Sequence, residues 1–219
     1  MKDFDTGMIL RRTSEMVWLA PGAALIALLA MALPATVLSV APEGGSPGFA
    51  FVSNIIGLFG QFIVTGKVTR RAGLMQADGV PGRAGSYVLL TIVSGLAILL
   101  GFVLLVLPGL YLFARWSIAV PMVVTEGARM GEALQGSWDR TRGQAVPICL
   151  ALLVIGSGLI ASAVLDYTVA PGYGPAPLIP TLVSNLIGFG STVLTWFLAI
   201  AVYSFSAREE APQLQEIFA

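Results

Sequence analysis

Long apolar runs separated by short polar interruptions make up most of the chain. At roughly 20 residues per membrane crossing, apolar stretches at about 16–40, 49–66, 86–107, 109–125, 145–167 and 181–204 predict six transmembrane helices. The expected fold is therefore an all-α integral membrane protein, one domain over 1–219. The stretch from 86 to 125 is too long for a single crossing, and Pro108-Gly109 divides it into a hairpin of spans 3 and 4. Pro21 stands in the first turns of span 1, and Pro34 marks a kink in it. Pro212 marks a helix start in the polar tail.

Two further segments have helical spacing of a different kind. In 3–15, Phe4, Met8 and Leu10 fall loosely on one side among charged residues. That suits a helix lying on the membrane surface; a frayed tail is the alternative reading. In 129–142, Met130, Leu134, Ser137, Trp138 and Thr141 share a side, while Glu132, Asp139 and Arg142 lie elsewhere. A second interfacial helix is expected there, with Trp138 among the lipid headgroups. The run over 16–40 far exceeds the 7–15 apolar residues of a signal-peptide core, so it reads as a retained first span.

Composition agrees with the pattern. The chain is 56% hydrophobic and 11% charged, and its mean hydropathy is +0.85. Soluble domains carry about 25% charged residues. The charge is segregated along the sequence. Six spans put both termini on one side, together with Lys2, Arg11, Arg12, Lys67, Arg70, Arg71, Arg83, Arg129, Arg140, Arg142 and Arg208. These are eleven of the 12 basic residues; the remaining one, Arg115, lies inside span 4. The opposite loops contain no lysine or arginine, only Glu43 and, at the end of span 5, Asp166. The positive-inside rule then places both termini in the cytoplasm. The expected location is a bacterial cytoplasmic (inner) membrane, with membrane lipids as partners.

The sequence also carries traces of an internal repeat. Arg12-Thr13 recurs as Arg140-Thr141, Val40-Ala41-Pro42 as Val169-Ala170-Pro171, and VSNIIG at 52–57 as VSNLIG at 183–188. The order is the same and the offsets are 128, 129 and 131. The repeating unit would be a surface helix followed by two spans, so that spans 1–2 match spans 5–6. Four crossings separate the copies, which makes the repeat parallel. The span 3–4 hairpin is expected at the centre, between the two units.

The residues that could carry chemistry are few. There is no histidine, which removes the commonest general base and zinc ligand. The single cysteine, Cys149, opens an apolar run and reads as packing. No nucleophile–base pair, metal-ligand set or phosphate-binding glycine loop is visible, so neither an enzyme nor a bound cofactor or metal is expected. Small residues at Gly158 and Ser162 have the spacing that lets membrane helices approach closely.

Arg115 is the sharpest signal, because an arginine within a span costs at least about 2.5–3.5 kcal/mol. It stands seven residues past Pro108, on the order of 10 Å from the outer boundary. Asn54 and Asn185, related by the repeat, lie at a similar depth near the outer ends of spans 2 and 6. A polar cluster of Arg115, Asn54 and Asn185 is expected, with Asp166 as counter-charge. It is either a ligand or ion site or simply a joint between helices. Glu126 lies eleven residues from Arg115, roughly 16 Å along the helix, and Arg140 or Arg142 make better partners for it.

One motif goes further. PGLYLFARWSIAVPMVVTEG, followed by EALQGSWDRTRGQ, resembles the core of the membrane domain associated with glycerophosphoryl diester phosphodiesterases. Pro108, Gly109, Tyr111, Arg115, Pro121, Glu126, Gly127, Ala133, Ser137, Trp138, Thr141 and Gly143 match its pattern in order. Some members fuse this region to a soluble catalytic barrel that works through histidines and acidic metal ligands. A chain without histidine has no such barrel. The resemblance therefore implies the membrane part alone, without phosphodiesterase activity. The expected function is accessory: a scaffold or anchor for a membrane or cytoplasmic protein, or support of envelope lipid metabolism, with no nucleic-acid partner. The alternative is a small transporter, channel or lipid-binding protein acting through Arg115.

Overall fold

The computed structural model of the chain describes residues 4–41, 47–75, 84–169 and 177–217, and the side chains among them except at 47–54, 169 and 208–217. Every regular element in that described part is an α-helix.

Helix α1, Thr6–Leu19, begins where the Asp5 carboxylate accepts the Thr6 N–H at 2.7 Å. It buries Ile9, Thr13 and Met16, one stripe of an amphipathic helix. Ala20 takes a non-helical backbone (φ −145°, ψ 56°), and Pro21 opens α2, Pro21–Val40. Proline is tolerated at the first helical position because its missing N–H would have no partner there. Met16 to Leu19 therefore belong to the amphipathic helix, and the first long apolar helix starts at Pro21 rather than at 16.

Helix α3, Pro47–Arg71, runs beyond the expected end at 66 and carries Arg70 and Arg71 in its last turn. The Arg71 guanidinium donates to the Leu19 carbonyl at 2.9 Å, satisfying one of the carbonyls left free at the end of α1.

The central hairpin breaks at Leu105 (φ −162°, ψ 143°), between α4, Ala84–Leu104, and α5, Val106–Arg115. The break thus falls three residues before Pro108, which sits in the first turn of α5, where no N–H is needed. Gly109 has a different task. A Cβ on it would lie 2.6 Å from the Phe102 nitrogen, and one on Gly101 would lie 2.8 Å from the Gly109 Cα. The pair of glycines lets the two backbones touch.

Helix α6, Ala119–Glu126, follows a non-helical turn and ends at Gly127, which adopts the left-handed conformation at φ 64°. Then come α7, Met130–Arg140, α8, Ala145–Val169, and α9, Leu178–Ile217. Pro212 does not start a separate tail helix, because α9 continues through it. The helix-favouring run from Ala207 to Ala211 carries the helix on.

Among the described residues, five helical segments are long and apolar enough to cross a membrane: Pro21–Val40, Ala84–Leu104, Val106–Glu126, Ala145–Thr168 and Leu178–Ala207. The chain is an all-helical, multi-pass membrane protein. Its centre is α9 rather than the α4–α5 hairpin. Helix α9 touches α1, α2, α3, α6 and α8, and every residue from Trp196 to Ser204 is buried. The hairpin tip, apolar all round, is open instead, with Leu104 76% and Leu107 78% exposed. A helix that is apolar on every side has no face to hide in lipid. Small residues close the α8–α9 contact, where Gly188 stands against the Ser162 side chain and the Ser184 hydroxyl donates to the Ser162 carbonyl at 3.0 Å.

Candidate functional site

The turn at 116–118 between α5 and α6 creates the site. The Trp116 N–H still bonds back to Leu112, but the Ala119 N–H turns to the Trp116 carbonyl at 3.1 Å. In an unbroken helix it would have gone to the carbonyl of Arg115. A hydroxyl of α7 replaces it, with a second just past the helix end: Ser137 donates to the Arg115 carbonyl at 2.8 Å, and the Thr141 hydroxyl, bonded to the Ser137 carbonyl at 2.7 Å, stands 3.1 Å from it. Ala133, Ser137 and Thr141, spaced by four, form the buried face of α7. This helix is thus docked under the break on one face and open on the other.

The same docking fixes the Arg115 side chain. Trp138 follows Ser137, and its ring lies under the guanidinium, 4.3 Å from ring centre to Cζ. Tyr111, one turn before Arg115 on α5, stands 6.0 Å from the same carbon and meets Trp138 edge-on, with ring centres 5.9 Å apart. Arg115 is 3% exposed, and its Nε is buried without a hydrogen-bond partner. Among the described residues no carboxylate comes within ion-pair distance of it. Aromatic faces contribute about 2 kcal/mol to a desolvated cation, less than the several kcal/mol that burying a charge costs. An unpaired buried N–H adds about 1–3 kcal/mol to that cost. The arginine is held in place without an ion-pair partner among the described residues.

It lines a cavity of about 480 Å³, whose walls include Tyr111, Trp138, Asp139, Arg142, Gly143 and, at the start of α8, Ala145 and Val146. Gly143 has φ 81°, a left-handed conformation that suits glycine, and it turns the chain sharply from α7 into α8. The first turn of a 25-residue helix therefore borders the cavity; Pro147 there has no N–H, and the N–H groups of Ala145 and Val146 carry the partial positive charge of the helix end. Two arginines, one aspartate and a helix N-terminus leave the cavity net positive. Its chemistry suits an anion with several acceptor oxygens, such as a phosphate group.

Among the described residues, Arg115, Asn185 and Asp166 do not come together as the expected polar cluster. Arg115 lies beside Ala145 and Val146 at the start of α8, whereas Asp166 is exposed near the other end of that helix. Twenty-odd residues of helix separate them, on the order of 30 Å. The Asn185 amide donates to the Thr36 hydroxyl at 2.9 Å and joins α9 to α2. Its neighbour Ser184 bonds to Ser162, also far along α8 from Arg115. The side chain of Asn54 lies outside the described residues. The physical reason for the difference is the turn at 116–118, which seats the end of α5 on α7 and the start of α8.

Glu126 belongs to a separate joint. Arg140 pairs with it at 2.5 Å, and the Tyr203 hydroxyl donates to it at 2.8 Å, tying α6, α7 and α9 together. Thr125 donates to the Tyr203 oxygen at 2.8 Å. Arg142 takes the other role and lines the Arg115 cavity. Tyr203 and the α8 N-terminus carry no signal in residue spacing. Tyr111 does, since it precedes Arg115 by one helical turn. Comparison of the chain with protein-family models, with curated proteins and with solved structures gives no match.

Proposed function

We propose that this protein is an accessory membrane protein that binds a phosphate-bearing anion in the Arg115 cavity and does not transform it. The observation that carries the reading is the buried arginine, stacked on Trp138 and, among the described residues, without a carboxylate in ion-pair distance, on the wall of an open cavity. Around it we place six spans, with α3 as the sixth, both termini in the cytoplasm of a bacterial cell, and units α1–α3 and α7–α9 as copies of one ancestral segment. The matched motif supports kinship with the membrane domain of glycerophosphoryl diester phosphodiesterases, since several of its positions build this cavity and its supports: Tyr111, Arg115, Ser137, Trp138, Thr141 and Gly143.

The test is binding of glycerol phosphate to the purified protein in detergent, read by calorimetry and by thermal stabilisation. Saturable binding to the native chain, lost in Arg115→Gln with unfolding still cooperative, is the expected result. Equal binding by both proteins, or binding by neither, would overturn the reading.

A second reading, a passage for small solutes, is favoured by one observation. Trp116 and Ser117, the residues after Arg115, line another cavity of about 290 Å³ with Gln61, Thr91, Ser94 and Thr195. Flux into proteoliposomes that is blocked by Ser117→Trp would support it.

A further inference from the structure

We infer that the anion held at Arg115 is the headgroup of a membrane phospholipid with one net negative charge, whose acyl chains lie along α5 and α8; this rests on the anion-binding reading above. Two walls of the cavity, Tyr111 and Val146, continue into apolar strips leading away from the arginine. On α5, Leu107 is one turn before Tyr111 and is 78% exposed. On α8, Leu150 and Leu153 follow Val146 at helical spacing and are 48% and 51% exposed. The two helices are neighbours along this line, since the Cys149 thiol reaches the Leu110 carbonyl at 3.7 Å. The strips extend over about 10 Å from Val146 to Leu153, enough to hold the upper part of an acyl chain.

Charge points to the class of lipid. Arg115 and Arg142 against Asp139 leave the cavity side chains at net +1, which matches a phosphodiester without an ammonium group. An aminophospholipid would bring a second cation next to Arg142. A free phosphate ester would use the charged end and leave the apolar strips unused, whereas a lipid uses both.

The experiment uses the full chain in mild detergent and native mass spectrometry, titrated in turn with phosphatidylglycerol, phosphatidylethanolamine, diacylglycerol of the same chains, and glycerol phosphate. Phosphatidylglycerol is expected to form a one-to-one adduct at least tenfold tighter than any of the others. The double variant Leu107→Ser/Leu150→Ser is expected to lose that advantage while binding glycerol phosphate as the native chain does, which also shows that it is folded. Glycerol phosphate binding as tightly as phosphatidylglycerol, or a double variant without effect on the lipid, would overturn the lipid assignment and leave the anion site standing. Failure of every phosphate-bearing probe would instead remove the anion site itself.

Discussion

The guanidinium of Arg115 rests on the indole of Trp138, 4.3 Å from the ring centre, although the two residues come from different helices. The stack depends on α7 docking beneath the α5–α6 break, so it reports on the integrity of the whole site. Trp138→Leu should weaken glycerol phosphate binding several-fold and lower stability by about 2 kcal/mol, the scale of a desolvated cation on an aromatic face. Trp138→Phe should keep most of both, because a ring remains. Thermal unfolding and calorimetry on the same preparations would check this. Equal losses in the two variants would mean that ring volume, not the π face, supports Arg115.

The Arg115 carbonyl accepts from the Ser137 hydroxyl at 2.8 Å, and the Thr141 hydroxyl, whose one hydrogen goes to the nearer Ser137 carbonyl at 2.7 Å, stands 3.1 Å from it and can turn to it. Either hydroxyl alone can satisfy it, so Ser137→Ala and Thr141→Val should each cost less than about 1 kcal/mol. The double variant leaves a buried carbonyl without a partner and should cost about 1–3 kcal/mol. Its loss should exceed the sum of the singles, which a double-mutant cycle measures directly. Additive losses would show that the two bonds act independently.

The helical character, five of the long apolar segments and their approximate limits follow from residues that any reading of the chain can see. The tight glycine contacts were visible at Gly158 and Ser162 for the same reason, since small residues at a spacing of four mark a close approach. The placement of Arg115 was not visible. It depends on a non-helical turn at Trp116–Ile118, and the residues there, Trp, Ser and Ile, carry no breaker signal. The one breaker signal is Pro121, three residues on, which has no N–H for the Ser117 carbonyl and crowds it, so that a new helix must start with Pro121 in its first turn. Counting depth along an ideal helix therefore put Arg115 beside Asn54 and Asn185. The motif from Ser137 to Gly143 held the missing information, because hydroxyls one turn apart around an exposed tryptophan suit a helix that must cap another element.

Glu126, Arg140 and Tyr203 form a joint that should behave differently from the Arg115 site. Both charged side chains are largely buried, 15% and 21% exposed. Removing one partner, as in Arg140→Met, strands a carboxylate and should cost about 3–5 kcal/mol. The double change Glu126→Leu/Arg140→Met removes both charges and should cost less than Arg140→Met alone. Glycerol phosphate binding should persist in the double variant, since neither residue lines the Arg115 cavity. Unfolding temperatures that fall further in the double variant would mean that the Tyr203 hydrogen bond holds Glu126 favourably even without Arg140.

Gly109 and Gly101 test whether the hairpin is held by backbone contact. A methyl group on Gly109 would meet the Phe102 nitrogen at 2.6 Å, and backbone cannot swing aside as a side chain does. The helices must separate, and overpacking of this kind costs about 1–3 kcal/mol. Gly95, on the same helix as Gly101, has nothing within 4 Å of its Cβ position. Gly95→Ala should therefore be neutral or stabilising by up to about 1 kcal/mol, the usual gain of alanine over glycine inside a helix. Gly109→Ala should also weaken ligand binding, because α5 carries Tyr111 and Arg115 and moves with its own first turn. The two alanine variants differ by the same single methyl group, so a difference in unfolding temperature isolates the contact. Equal stability in the two would show that α4 and α5 are held by the lipid around them and not by each other.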